Sequence, residues 1–156
     1  MRVRERFLIK GEIVCRVIEP KTGRVVKTIR VNNLIPTVLK ELVARMMIDE
    51  SGYDTGITYF AIGTSNTTPL ITDTILGNEV SRKAITKKER ASNIITLSTY
   101  FVSTSCDYNI KEIGAFGHST ATATKDTGVL AGHALLAYDN SSGNYDLSFD
   151  YIFTFG

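Results

Sequence analysis

Few residues in this chain could carry acid–base, nucleophilic or metal chemistry near neutral pH. There are two histidines, His118 and His133, and two cysteines, Cys15 and Cys106. His118 falls in a polar loop and His133 in a strand-like run, with no nucleophile motif beside either; serine and aspartate are plentiful, but abundance is no evidence for a Ser/His/Asp arrangement. No two Cys or His residues lie within five positions of each other, so no metal-ligand spacing is present. Gly63, Gly77, Gly114 and Gly117 match neither a Walker loop nor a dinucleotide fingerprint. Asp146 and Asp150 share one side of a strand and are expected to face water there, and the absence of tryptophan weakens a carbohydrate platform. The expectation is a non-enzymatic protein without catalytic residues, cofactor or metal.

Clustered charge offers another kind of chemistry. Arg82 to Arg90 holds five basic residues in nine, the spacing phosphate neutralisation needs. It lacks the interleaved aromatics that stack on bases, and no nucleic-acid motif surrounds it. An exposed strand edge protected by its charge is the expectation, with nucleic acid disfavoured as a partner. Charge also divides along the chain: residues 1–50 carry eleven Lys/Arg against six Asp/Glu, and residues 91–156 carry two against six. Opposite-sign halves suit a self-associating subunit, because complementary fields orient association.

The elements that position these groups follow from period and punctuation. A length of 156 residues suits one domain able to bury a core without staples. The two cysteines are expected as small buried hydrophobes. No apolar run approaches the roughly 20 residues of a membrane helix. Phe7-Leu8-Ile9 is too short for the apolar centre of a signal peptide, so neither membrane nor secretion is expected. Residues 1–10 read as an N-terminal arm, in which Arg2, Arg4 and Arg6 share one face when extended, and residues 11–156 as a single β-rich domain.

Phe7 to Val31 reads as a hairpin turned at Glu19-Pro20-Lys21-Thr22-Gly23, with a left-handed glycine closing the turn. Val38, Leu39, Leu42, Val43, Met46 and Met47 then recur at helical spacing behind Pro36, predicting an amphipathic helix with all six residues on its core face. Strands follow at Tyr59–Gly63, Asn93–Val102, Ile110–Phe116 and Val129–Tyr138. His118 to Gly128 is a polar loop, long enough that order against a neighbour is expected. In the last run Tyr145, Leu147, Phe149, Tyr151, Phe153 and Phe155 take every odd position, giving a strand with one aromatic face, buried in the core or in a subunit interface. Strands without helical alternation predict a mainly β fold: an antiparallel sandwich or barrel with one amphipathic helix packed across it.

One stretch joins three regimes: the strand Tyr59-Phe60-Ala61-Ile62-Gly63-Thr64, a Thr67-Thr68-Pro69 loop, and a short segment with Leu76, Glu79 and Arg82 at three-residue spacing. With the later Ile110-Lys111-Glu112-Ile113-Gly114-Ala115-Phe116 strand and the Tyr151 to Phe155 tail, it resembles small virion structural proteins of tailed viruses. Matching positions include Gly63, Thr64, Pro69, Leu76, Glu79, Arg82, Glu112 and Gly114, from about residue 33 to the C-terminus. The resemblance implies a structural role on the particle, with Glu79 and Arg82 paired within one turn or reaching a neighbour.

Without heptads or a shaft repeat, the expectation leans to a capsid decoration (cement) subunit working as a homo-oligomer, a trimer first. It would contact the major capsid protein, sit on the virion, and be assembled in the host cytoplasm. A small tail protein forming a tube, ring or fibre tip is the alternative, and a carbohydrate-binding receptor module a more distant one. The candidate interface is Arg2, Arg4 and Arg6 with Tyr145, Phe149, Tyr151, Phe153 and Phe155.

Overall fold

A computed structural model describes residues 8–156. The first hairpin pairs β1 (Ile9–Ile18) with β2 (Val25–Asn33), antiparallel from Gly11 opposite Asn33 onward. Its turn closes on Gly23, at φ +69°, whose N–H donates to Glu19 O at 2.9 Å. Glycine adopts that left-handed geometry without a Cβ clash. The domain starts earlier than expected. Leu8 and Gly156 exchange two backbone hydrogen bonds and Ile9 pairs with Phe155, so residues 9 and 10 belong to the sheet and not to an arm. Arg2, Arg4 and Arg6 lie outside the described residues.

Helix α1 (Thr37–Met47) follows Pro36, which sits extended at its N-cap. Leu39 and Leu42 are buried in the core, but the stripe is narrower than predicted: Met46 is 38% exposed and Met47 81%.

The remaining strands are β3 (Ile57–Gly63), β4 (Glu79–Ala84), β5 (Lys87–Ala91), β6 (Ile94–Phe101), β7 (Asn109–Gly117), β8 (Val129–Asp139) and β9 (Asp146–Phe155). They form two antiparallel sheets, ordered β2-β1-β9-β6-β5 and β4-β3-β7-β8. The fold is therefore a β-sandwich with one helix, as the sequence predicts. No helix among the described residues is long and apolar enough to cross a membrane.

The core between the sheets takes alternate side chains from each strand. Ile13, Cys15 and Val17 of β1 and Leu147, Phe149, Tyr151 and Phe153 of β9 meet Phe60 and Ile62 of β3 and Ile113 and Ala115 of β7. Phe149 packs edge-on against Phe101 at 5.6 Å, and Tyr151 stacks on Phe153 at 4.6 Å. This corrects the expected interface. Phe149, Tyr151 and Phe153 are buried inside their own subunit, and Tyr145 and Phe155 pack partly buried against the same core, so the aromatic face is spent on folding.

The other face of β9 is also drier than expected. Asp146 is buried, accepting Tyr100 Oη–H at 2.6 Å and Ser103 N–H at 2.6 Å. Asp150 accepts from Arg16 and from Ser98 Oγ. The hydrogen bond to Asp146 pushes the Tyr100 hydroxyl up to about 12. Both cysteines are free and buried; burial pushes Cys15 to about 12 and Cys106 to about 11, far from the range of a reactive thiolate.

Candidate functional site

The outer face of the sheet β4-β3-β7-β8 gathers Gly63, Glu79, Arg82, Glu112 and Gly114, which lie scattered along the chain. Strand register explains how. One row across the sheet runs Glu79, Gly63, Glu112 and Leu135; the next runs Arg82, Ala61, Gly114 and His133. Two regular strand residues three apart face opposite ways. Glu79 and Arg82 face the same way because Glu79 pairs with Gly63 and Ser81 with Ile62, leaving Val80 as an extra residue, a β-bulge.

Glu79 and Arg82 form a bidentate pair, with Arg82 Nε–H donating to Glu79 Oε1 at 2.5 Å and Nη2–H to Oε2 at 2.7 Å. Both side chains are nearly inaccessible. The guanidinium carbon lies 4.6 Å from the centre of the Phe116 ring. The remaining donors reach the loop after β7: Arg82 Nη1 donates to Thr122 O and Thr127 O, each at 3.0 Å. Lys125 Nζ donates to Glu79 O, and the Asp126 N–H to Glu79 Oε2. The 118–128 loop, expected to need a neighbour for order, is held by its own subunit. Arg82 also drops out of the exposed basic run, leaving Lys83, Lys87, Lys88 and Arg90.

Glu112 organises the second loop, residues 64 to 78. It is fully buried and accepts the N–H groups of Ser65 (3.2 Å), Gly77 (2.9 Å) and Asn78 (2.7 Å). His133 is held between two carboxylates, Nε2 to Glu112 at 2.9 Å and Nδ1 to Asp73 at 2.9 Å. Burial alone raises a carboxylic acid, but here the His133 bond and the three amides outweigh it and lower Glu112. Burial likewise works against the charge on His133, and Glu112 and Asp73 outweigh it, so its pKa is raised. The imidazolium, with both nitrogens donating, satisfies both carboxylates.

The two glycines in the rows make room for this network. A Cβ at Gly63 would lie 2.6 Å from Asn78 O and would strike the Glu112 carboxylate. One at Gly114 would meet Leu76 Cδ2 at 2.8 Å. Leu76 instead seats in the hollow with Ala61, Phe116 and Leu130, a small second core between the sheet and its loops. Thr64 accepts a hydrogen bond from the Asn78 amide at 2.7 Å, closing the loop neck. Pro69 lies further out, before the exposed Leu70 and Ile71.

Chemically the arrangement is a brace. Both ring nitrogens of His133 are occupied by carboxylates, so this imidazole holds no lone pair aimed at a serine or at water. His118 lies apart, its ring 4.0 Å from that of Tyr53 and Nδ1 2.8 Å from Thr120 Oγ1. No group of three or more His, Cys, Asp or Glu among the described residues is placed to hold a metal ion. The partnership of His133 with Glu112 and Asp73 is invisible in the sequence, because it depends on β7–β8 register and on a loop closing over it. The nearest signal was Gly114, whose missing side chain marks a place where something else must come close.

No protein-family model, curated protein or solved structure matches the chain.

Proposed function

We propose that the protein is a virion structural subunit of a tailed virus, acting by adhesion, and more specifically a capsid decoration subunit that works as a homo-oligomer. The observation that carries this reading is a braced loop bearing three exposed aliphatic side chains. Leu70, Ile71 and Ile75 are 57%, 58% and 47% exposed, on a loop anchored at Glu112 and through Asp73 to His133. Ile71 O also accepts the Thr37 N–H at the start of α1. Exposed aliphatic side chains gathered on one loop are the kind of surface that association can bury. Holding them on a rigid base lowers the ordering cost of association.

The interface assignment therefore moves from the aromatic strand to this loop. Such a subunit raises the cost of pulling neighbours apart by adding apolar contact area at their seam. A small tail protein would use the same surface. Immunogold labelling of particles with an antibody to the chain separates the two: regular labelling of the head is expected, labelling confined to the tail supports the alternative, and particles without the protein refute both.

A further inference from the structure

We infer that the cleft between α1 and the β5 edge of the first sheet is a binding site for a single-chain amphiphilic carboxylate. The cleft has a volume of about 340 Å³. Its walls include Leu42, Val43 and Met46 of α1, Ile95 of β6, and Phe153 and Phe155 of β9. Ligand sites are commonly apolar hollows of roughly 300–1,000 Å³ with a few placed polar groups. Water gains little in such a space, because an ordered molecule needs two to four polar partners.

The polar groups are what select the ligand. By register Lys88 lies opposite Leu97 and Arg90 opposite Ile95, and those two residues lie opposite Tyr151 and Phe153. Lys88 and Arg90 therefore stand on the interior face of the sheet, where the central strands place apolar side chains, and both line the cleft. Their neighbours on the other face, Lys87 and Glu89, pair with each other at 2.9 Å. Arg90 donates to Ser92 O, and no acidic side chain among the described residues pairs with Lys88 or Arg90. Glu89 also lines the cleft, with its carboxylate paired to Lys87, so the apolar trough ends in Lys88 and Arg90 with no acidic side chain paired to either, complementary to an acyl chain with an anionic head.

Inward charge on an edge strand also deters sheet-to-sheet pairing. That role is indifferent to the sign of the charge, whereas ligand selection is not. The inference stands apart from the particle role and does not depend on it.

Calorimetric titration of the full chain with laurate and with dodecyltrimethylammonium, equal in chain length and opposite in charge, tests it. The expected result is one laurate per chain, bound at least about tenfold more tightly than the cation, with the preference reversed in Lys88→Glu/Arg90→Glu. Both substitutions are at exposed positions, so that variant keeps the fold. Val43→Phe, which fills the trough, is expected to abolish laurate binding. Absence of binding, equal affinity for the two amphiphiles, or an unchanged preference in the double variant would overturn the inference. So would self-association through the cleft, seen as a dimer that laurate does not dissociate and Val43→Phe does.

Discussion

Glu79 and Arg82 sit three residues apart on a β-strand yet grip each other bidentately on one face, because the bulge at Val80 restores a common direction. The pair is dry, and it fixes the 118–128 loop as well as itself. Removing either partner leaves the other charge buried without its counter-charge. Arg82→Ala and Glu79→Ala are each expected to cost about 3–5 kcal/mol of unfolding free energy. The double variant should cost clearly less than the sum, because the stranded charge is gone. Urea unfolding of the four proteins measures this; near-additive single effects would show that the pair does not act as a unit.

The glycines of the outer face differ in what they make room for. At Gly63 an added methyl meets the backbone oxygen of Asn78, which cannot swing away. At Gly114 the nearest atoms are the ends of Leu76 and Leu130, at 2.8 and 3.0 Å, which can shift, and the backbone oxygen of Gly132 stands slightly further off at 3.1 Å. Gly63→Ala is expected to lose about 3 kcal/mol and Gly114→Ala about 1 kcal/mol, as overpacking. Gly23→Ala has open space but a left-handed backbone and should lose about 1–2 kcal/mol. Thermal denaturation ranks them, and Gly114→Ala proving the costliest would contradict the geometry.

His133 and Glu112 set a pH window for the loop brace. The raised His133 contributes stability that is complete below its ordinary value near 6.5 and is lost as pH rises through its folded value. The lowered Glu112 contributes above its ordinary value near 4.5 and loses that contribution as pH falls through its folded value. The brace is therefore strongest between the two. His133→Gln is expected to lower stability at pH 5.5, to flatten the alkaline decline and to shrink the acid one, since the His133 bond helps to lower Glu112. Urea midpoints from pH 4 to 9 provide the check, and parallel profiles for the two proteins would remove His133 from the pH response.

Much of the fold is legible in the sequence where a pattern is local. The Pro20 to Gly23 turn, the Pro36 helix start and the odd-numbered apolar run of β9 each depend on residues a few positions apart, and each stands as read. What is hidden depends on register. Glu79 and Arg82 look like one turn of helix because three-residue spacing on a strand makes sense only with a bulge. Asp146 looks solvated because nothing local announces that Tyr100 and Ser103 will cover it. Met47 looks buried because periodicity gives the face of a helix but not how far its neighbour extends. The aromatic face of β9 was legible as buried, and only the second sheet lying over it decides that the burial is internal.

Leu70, Ile71 and Ile75 are the proposed contact through which copies of this chain assemble. Sedimentation velocity of the wild type beside Leu70→Ser/Ile71→Ser/Ile75→Ser tests it most directly, with the melting temperature of each as the control for folding. The wild type is expected to be a closed oligomer and the triple variant a monomer of unchanged melting temperature. A wild type that stays monomeric at high concentration, or a triple variant that assembles as the wild type does, would contradict it.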